Sequence, residues 1–112
     1  MIAEYDFETK KTLMKYNSRK LGEWSFAMIV SGVFHEIGHI LQGSLPYDTE
    51  EQQIYAEFDA ESYSLEMLKE YYTKKDVSEV VSTTKKKLRT SRFRNMFPIH
   101  YSAFSQIPEY QD

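Results

Sequence analysis

Residues 33 to 43 read VFHEIGHILQG, with two histidines four positions apart and a glutamate directly after the first. At 3.6 residues per turn, His35 and His39 fall one turn apart on one side of a helix, so both Nε2 atoms can meet one tetrahedral metal ion. Glu36 sits about 100° around from His35, beside such an ion rather than on it, where a base for an attacking water belongs. The chemistry this spacing serves is metal-assisted hydrolysis. A zinc site that keeps one position open for water needs a third protein ligand. The chain has no cysteine, which leaves His100 and the acids downstream of the motif.

The helix that must carry the motif is expected over about 21–42, ending at Gly43 and the loop GSLPYD. On its wheel Phe26, Ile29, Val30, Val33, Phe34, Ile37, Ile40 and Leu41 share one broad apolar side. His35 and His39 share the opposite side with Ser31, Gly32 and Gly38, small residues that let another backbone approach. Thr49 followed by Gln52 reads as a capping box, which opens a second helix over about 50–72. There Ile54, Phe58, Leu65, Leu68 and Tyr72 form an apolar stripe, with Glu57 and Glu61 inside it and Asp59, Glu66 and Glu70 opposite. Two carboxylates one turn apart against a core need a cationic or strongly donating partner. A zinc ion with its histidines would be one, and Lys or Arg from elsewhere would be another.

H-E-x-x-H followed after seventeen residues by E-x-x-x-E resembles the gluzincin class of zinc metallopeptidases. HEIGHIL with EFDAESYSLEML is most similar to its small members, the ImmA/IrrE-type peptidases and the minigluzincins, over about residues 12–72. The resemblance implies that His35, His39 and Glu57 bind zinc and that Glu36 is the general base. It implies that Glu61 stands where the family has an aspartate fixing a ligand histidine, one methylene longer here. A peptide or protein substrate would lie extended along a hairpin edge, for which TLMKY, residues 12–16, is the candidate. A Tyr or His donor steadies the oxyanion in such enzymes, and Tyr55, Tyr63, His100 and Tyr101 are available.

The remaining chain bounds this reading. Its 112 residues fit one small domain. The expected class is α+β, with an N-terminal β-hairpin over about 2–16 packed on the active-site helix, then the second helix, then a basic third helix over about 77–94, capped by Asp76 with Glu79 three residues on. This makes a metallopeptidase-like unit over 1–97 and an extended tail over 98–112, where Pro98 and Pro108 fall among scattered aromatics. The acidic start MIAEYDFETKK lacks the order of a signal peptide, and the apolar run 24–41 carries His35, Glu36 and His39, costly in lipid. With no cysteine, a cytoplasmic protein with no membrane partner is expected.

Residues 74–94 hold eight Lys and Arg against Asp76 and Glu79, a net +6, while the rest of the chain is −9. Nucleic acid is the partner such a segment would take; the plainer reading is a solvated helix with cations at its C-terminal end. The tail, rich in apolar side chains, should pack on something. One expectation is a zymogen-like latency, in which Glu109, Asp112 or the terminal carboxylate of the same molecule or of a dimer partner displaces the catalytic water. The other is that the tail covers the back of the helices. Besides a peptidase, the pattern allows a non-catalytic zinc protein that binds a partner and tolerates loss of Glu36, or a nucleic-acid-associated factor with a structural metal.

Overall fold

The computed structural model describes residues 2–6 and 11–15 as backbone and residues 25–112 in full. Within 25–112 every element is helical: α1 (Phe26–Gln42), α2 (Glu50–Tyr71), α3 (Lys74–Leu88), the short α4 (Ser91–Met96) and α5 (Pro98–Phe104), and a 3-10 turn at Pro108–Tyr110. The backbones of Ile2–Asp6 (β1) and Lys11–Lys15 (β2) run antiparallel, with Ile2 opposite Lys15 and Asp6 opposite Lys11. A two-stranded ribbon is not a sheet layer with a core of its own. The described core is built from helices alone, so the expected α+β class is corrected to a small all-helical domain. Of the hairpin expected over about 2–16, residues 7–10 and 16 lie outside the described residues.

Local chemistry explains where the helices start and stop. Ser25 is extended and its side chain accepts from Met28 N at 3.3 Å, so α1 begins at Phe26; residues 21–24 lie outside the described part. Thr49 and Gln52 close a reciprocal capping box on α2. The third helix is α3, three residues earlier at its start than expected and six shorter at its end. The reason is that Asp76 is not a cap. It is the third residue of a box capped by Thr73, whose Oγ1 accepts from Asp76 N at 3.2 Å. After Leu88 the chain breaks and restarts, because Thr90 caps α4 by accepting from Phe93 N at 3.2 Å.

The expected extended tail is likewise corrected. Pro98 stands in the first turn of α5, where a missing N–H leaves no hydrogen bond unmade, so it opens a helix instead of preventing one. Ala103, Ile107 and Tyr110 are then buried.

The helices meet through two apolar clusters. Ala27, Leu68 and Val80 join α1, α2 and α3, with Met28, Val30, Phe34 and Tyr72 around them. Leu65, Ile107 and Tyr110 join α2 to the C-terminal turn, with Phe58, Val81, Leu88 and Phe104 around them. On α1 the buried residues are Ala27, Ser31, His35 and Gly38, whereas Phe26 and Leu41 of the apolar side are 69 % and 66 % exposed. The side of α1 that faces α2 is therefore the small, histidine-bearing one. Among the described residues no helix is long and apolar enough to cross a membrane.

Candidate metal centre

Small residues bring α1 and α2 close enough for their polar side chains to touch. A Cβ on Gly38 would stand 2.9 Å from Ala60 Cα and 3.1 Å from its carbonyl oxygen, so glycine alone permits this approach. One end of the seam is fixed by Ser64 Oγ, which donates to the Ser31 carbonyl at 2.9 Å and lies 3.2 Å from Ser31 Oγ. Along the same seam Glu57 and Glu61 are buried, at 4 % and 5 % exposure, opposite His35. Asp59, Glu66 and Glu70 are exposed.

His35 Nε2 lies 2.9 Å from Glu57 Oε2. His39 Nε2 lies 3.1 Å from that same oxygen and 3.1 Å from His35 Nε2. One ligand atom each from His35, His39 and Glu57 thus shares a space in which all lie within 4.8 Å of one another.

The far side of each ring decides what these atoms are. His35 Nδ1 is 2.8 Å from Glu61 Oε1, a carboxylate oxygen that only accepts, so the proton sits on Nδ1. His39 Nδ1 is 3.0 Å from Gln42 Oε1. The Gln42 amide cannot be turned round, because its nitrogen donates to the Ala56 carbonyl at 2.7 Å and to Asp59 Oδ2 at 3.1 Å. Both neutral rings therefore aim Nε2 lone pairs at Glu57. Lone pairs facing a carboxylate repel it unless a proton or a metal cation stands between them.

The metal-free protein uses protons. Burial pulls the His35 pKa down, but its hydrogen bonds to Glu57 and Glu61 and their charges outweigh this and raise it to about 10. His39 is raised as well, against burial, chiefly by Glu57. Burial pushes the Glu57 pKa up, yet its hydrogen bonds with His100, His35 and His39 hold the carboxyl far below the usual carboxylate range.

The residues also fit a zinc ion. Ligand distances of about 2.0–2.2 Å at a tetrahedral ion place neighbouring ligand atoms roughly 3.3–3.6 Å apart, a few tenths of an ångström more than found here. Two imidazoles with a carboxylate are a usual zinc donor set, and both rings carry the outer hydrogen bond that fixes their tautomer.

Glu36, one position after His35, is half-buried. Its charge is felt by Tyr47, whose hydroxyl donates to Glu57 Oε1 at 2.9 Å. Burial, then the Glu57 hydrogen bond and charge, then Glu36, push that phenol up to about 12. Of the four expected oxyanion donors, the structure brings His100 to the cluster, its Nε2 3.1 Å from Glu57 Oε2. Tyr55 is 59 % exposed, Tyr63 lines a shallow groove with Gln42 and Asp59, and the Tyr101 ring lies under the Arg94 guanidinium at 4.9 Å.

The tail acids stand elsewhere. Glu109 pairs with Lys69 at 3.2 Å, and Asp112 pairs with Lys85 at 3.2 Å and Arg89 at 2.7 Å. Lys85 and Arg89 of the basic segment are thereby engaged within the molecule, as Arg94 is by the Tyr101 ring.

Sequence reasoning missed Gln42, Tyr47 and Tyr110. Gln42 left a signal, since it stands one helical turn after His39. Tyr47, in a loop, and Tyr110, near the C-terminus, left none. Compared with protein-family models, curated proteins and solved structures, the chain matches none.

Proposed function

We propose that this chain is a zinc-dependent peptidase in which His35, His39 and Glu57 hold the ion and Glu36 is the general base. The observation that supports this best is the pair of Nε2 atoms, held in place by Glu61 and Gln42 on the far side of each ring, that meet at the oxygen of a buried glutamate. When bound, zinc would acidify a water and polarise the scissile carbonyl. Glu36 takes the proton from the attacking water and passes it to the departing amine. Tyr47 and His100, which also reach Glu57, are the donors that would steady the negative charge developing on the carbonyl oxygen. The substrate is a peptide or protein. A chain without cysteine suits the reducing cytoplasm.

The test is zinc analysis of the purified protein together with digestion of a denatured protein mixture, for wild type and Glu36→Gln. Zinc in both samples with cleavage by the wild type alone is the expected result. Cleavage that survives the substitution removes Glu36 from its role. One observation favours a second reading, a zinc protein that binds a partner without catalysis: His100 brings a third imidazole onto Glu57, and a third imidazole could take the position that a catalytic site keeps for water. Zinc without cleavage in either sample selects that reading.

A further inference from the structure

The C-terminal turn reaches the back of the metal centre. Tyr110 is 5 % exposed, and its hydroxyl donates to Glu61 Oε2 at 2.5 Å, while the other oxygen of that carboxylate accepts from His35 Nδ1 at 2.8 Å. Thr84 of α3, itself buried, acts on the phenol from a third element and pulls its pKa down, against the larger upward push of burial and Glu61. The result is an unbroken chain of hydrogen bonds, Tyr110 to Glu61 to His35, that draws on the C-terminal turn, α2 and α1. Its buried side-chain nitrogens and oxygens all have partners among the described residues.

Resting on the metal reading above, we propose that Tyr110 is a positioning residue for the ligand His35, acting through Glu61. Glu61 is one methylene longer than an aspartate and has one more torsion to fix. A hydrogen bond to Oε1 alone leaves its carboxylate free to rotate about the last bond. The second hydrogen bond, on Oε2, removes that freedom and so sets the direction in which His35 presents Nε2. The phenol also limits the carboxylate's negative charge, which tunes how strongly the imidazole donates to a metal. The C-terminal segment is then part of the apparatus that shapes the metal site.

The experiment uses the full chain and Tyr110→Phe, which keeps the ring in its apolar cluster and removes only the hydroxyl. Zinc affinity is measured by competition with a chelator, ligand geometry by the visible spectrum of the cobalt(II) form, and folding by circular dichroism. Tyr110→Phe is expected to lower zinc affinity about tenfold and to alter the cobalt spectrum at an unchanged helical signal. In a Glu61→Ala background the same substitution should change affinity by less than about twofold, because its route to His35 is already cut.

An unchanged affinity and spectrum overturns the proposal, even if the melting temperature falls, since a packing role alone predicts that pattern. An equal loss in the Glu61→Ala background also overturns it. The wild type provides a reading that needs no variant: the hydrogen-bonded hydroxyl proton of Tyr110 should shift in the proton NMR spectrum when zinc is added, and a resonance that ignores zinc refutes the coupling. A wild type that takes up no zinc defeats the peptidase reading itself, a result distinct from each of these.

Discussion

Gln42 is the side chain through which the role of the outer hydrogen bonds can be measured most cleanly, by Gln42→Met. Methionine matches glutamine in length and in helix propensity, so the end of α1 is not weakened by the exchange itself. The substitution removes the acceptor of His39 Nδ1–H, and with it two donors to α2, at Ala56 O and Asp59. Without that acceptor His39 is free to move its proton to Nε2, which removes the lone pair a metal needs. Loss of such a partner weakens metal binding roughly 10- to 100-fold, or about 1.4–2.7 kcal/mol.

Stability of the metal-free protein should change less. Each of the partly exposed hydrogen bonds contributes about 0.5–1.5 kcal/mol, and the half-exposed site lets water replace part of them, so a loss of about 1–2 kcal/mol follows. For a domain of this size that lowers the melting temperature by roughly 4–10 °C. Chelator competition gives the affinity, and thermal melts after metal removal give the stability. A variant that loses stability yet binds zinc as well as the wild type would show that His39 is oriented by something other than Gln42.

Other expectations follow from the same geometry. Glu57→Ala should abolish tight zinc binding in a chelator titration, whereas Asp59→Ala, on the exposed side of α2, should leave it within about threefold. Gly38→Ala forces a Cβ to 2.9 Å from the Ala60 backbone; overpacking of about 1–3 kcal/mol exceeds the helix-propensity gain of about 1 kcal/mol, so urea unfolding should show a net loss near ~1 kcal/mol.

His35 titrates near 10 when folded against 6.5 ordinarily, so the stability it contributes to the metal-free protein is full below 6.5 and is lost as pH rises toward 10. Zinc competes with that proton, so between about pH 7 and about pH 9 the metal-free melting temperature should fall while zinc affinity rises. Truncation before Pro98 removes Ala103, Ile107 and Tyr110 from the core, and circular dichroism should report an unfolded chain rather than an activated one.

The local spacing in the sequence carried most of the site. Along a helix, residues three and four apart must share a side, so the pair His35 and His39, and the inward turn of Glu57 and Glu61, could be read without a structure. The Thr49–Gln52 box is equally local, and the start of α2 followed from it. Local rules were less decisive where two signals compete: Asp76 reads as a cap but serves as the third residue of a box, and Pro98 reads as a breaker but opens a helix.

What the tertiary structure alone decided is which surfaces meet. The wheel of α1 offered a broad apolar side, yet the side pressed on α2 is the one with Ser31, His35 and Gly38, because small residues admit a backbone that bulky ones would hold away. His100, Tyr47 and Tyr110 reach Glu57 and Glu61 from parts of the chain with no periodic relation to the motif. Hydrogen bonds between distant segments depend on how helices pack, and a helical repeat contains no information about that partner.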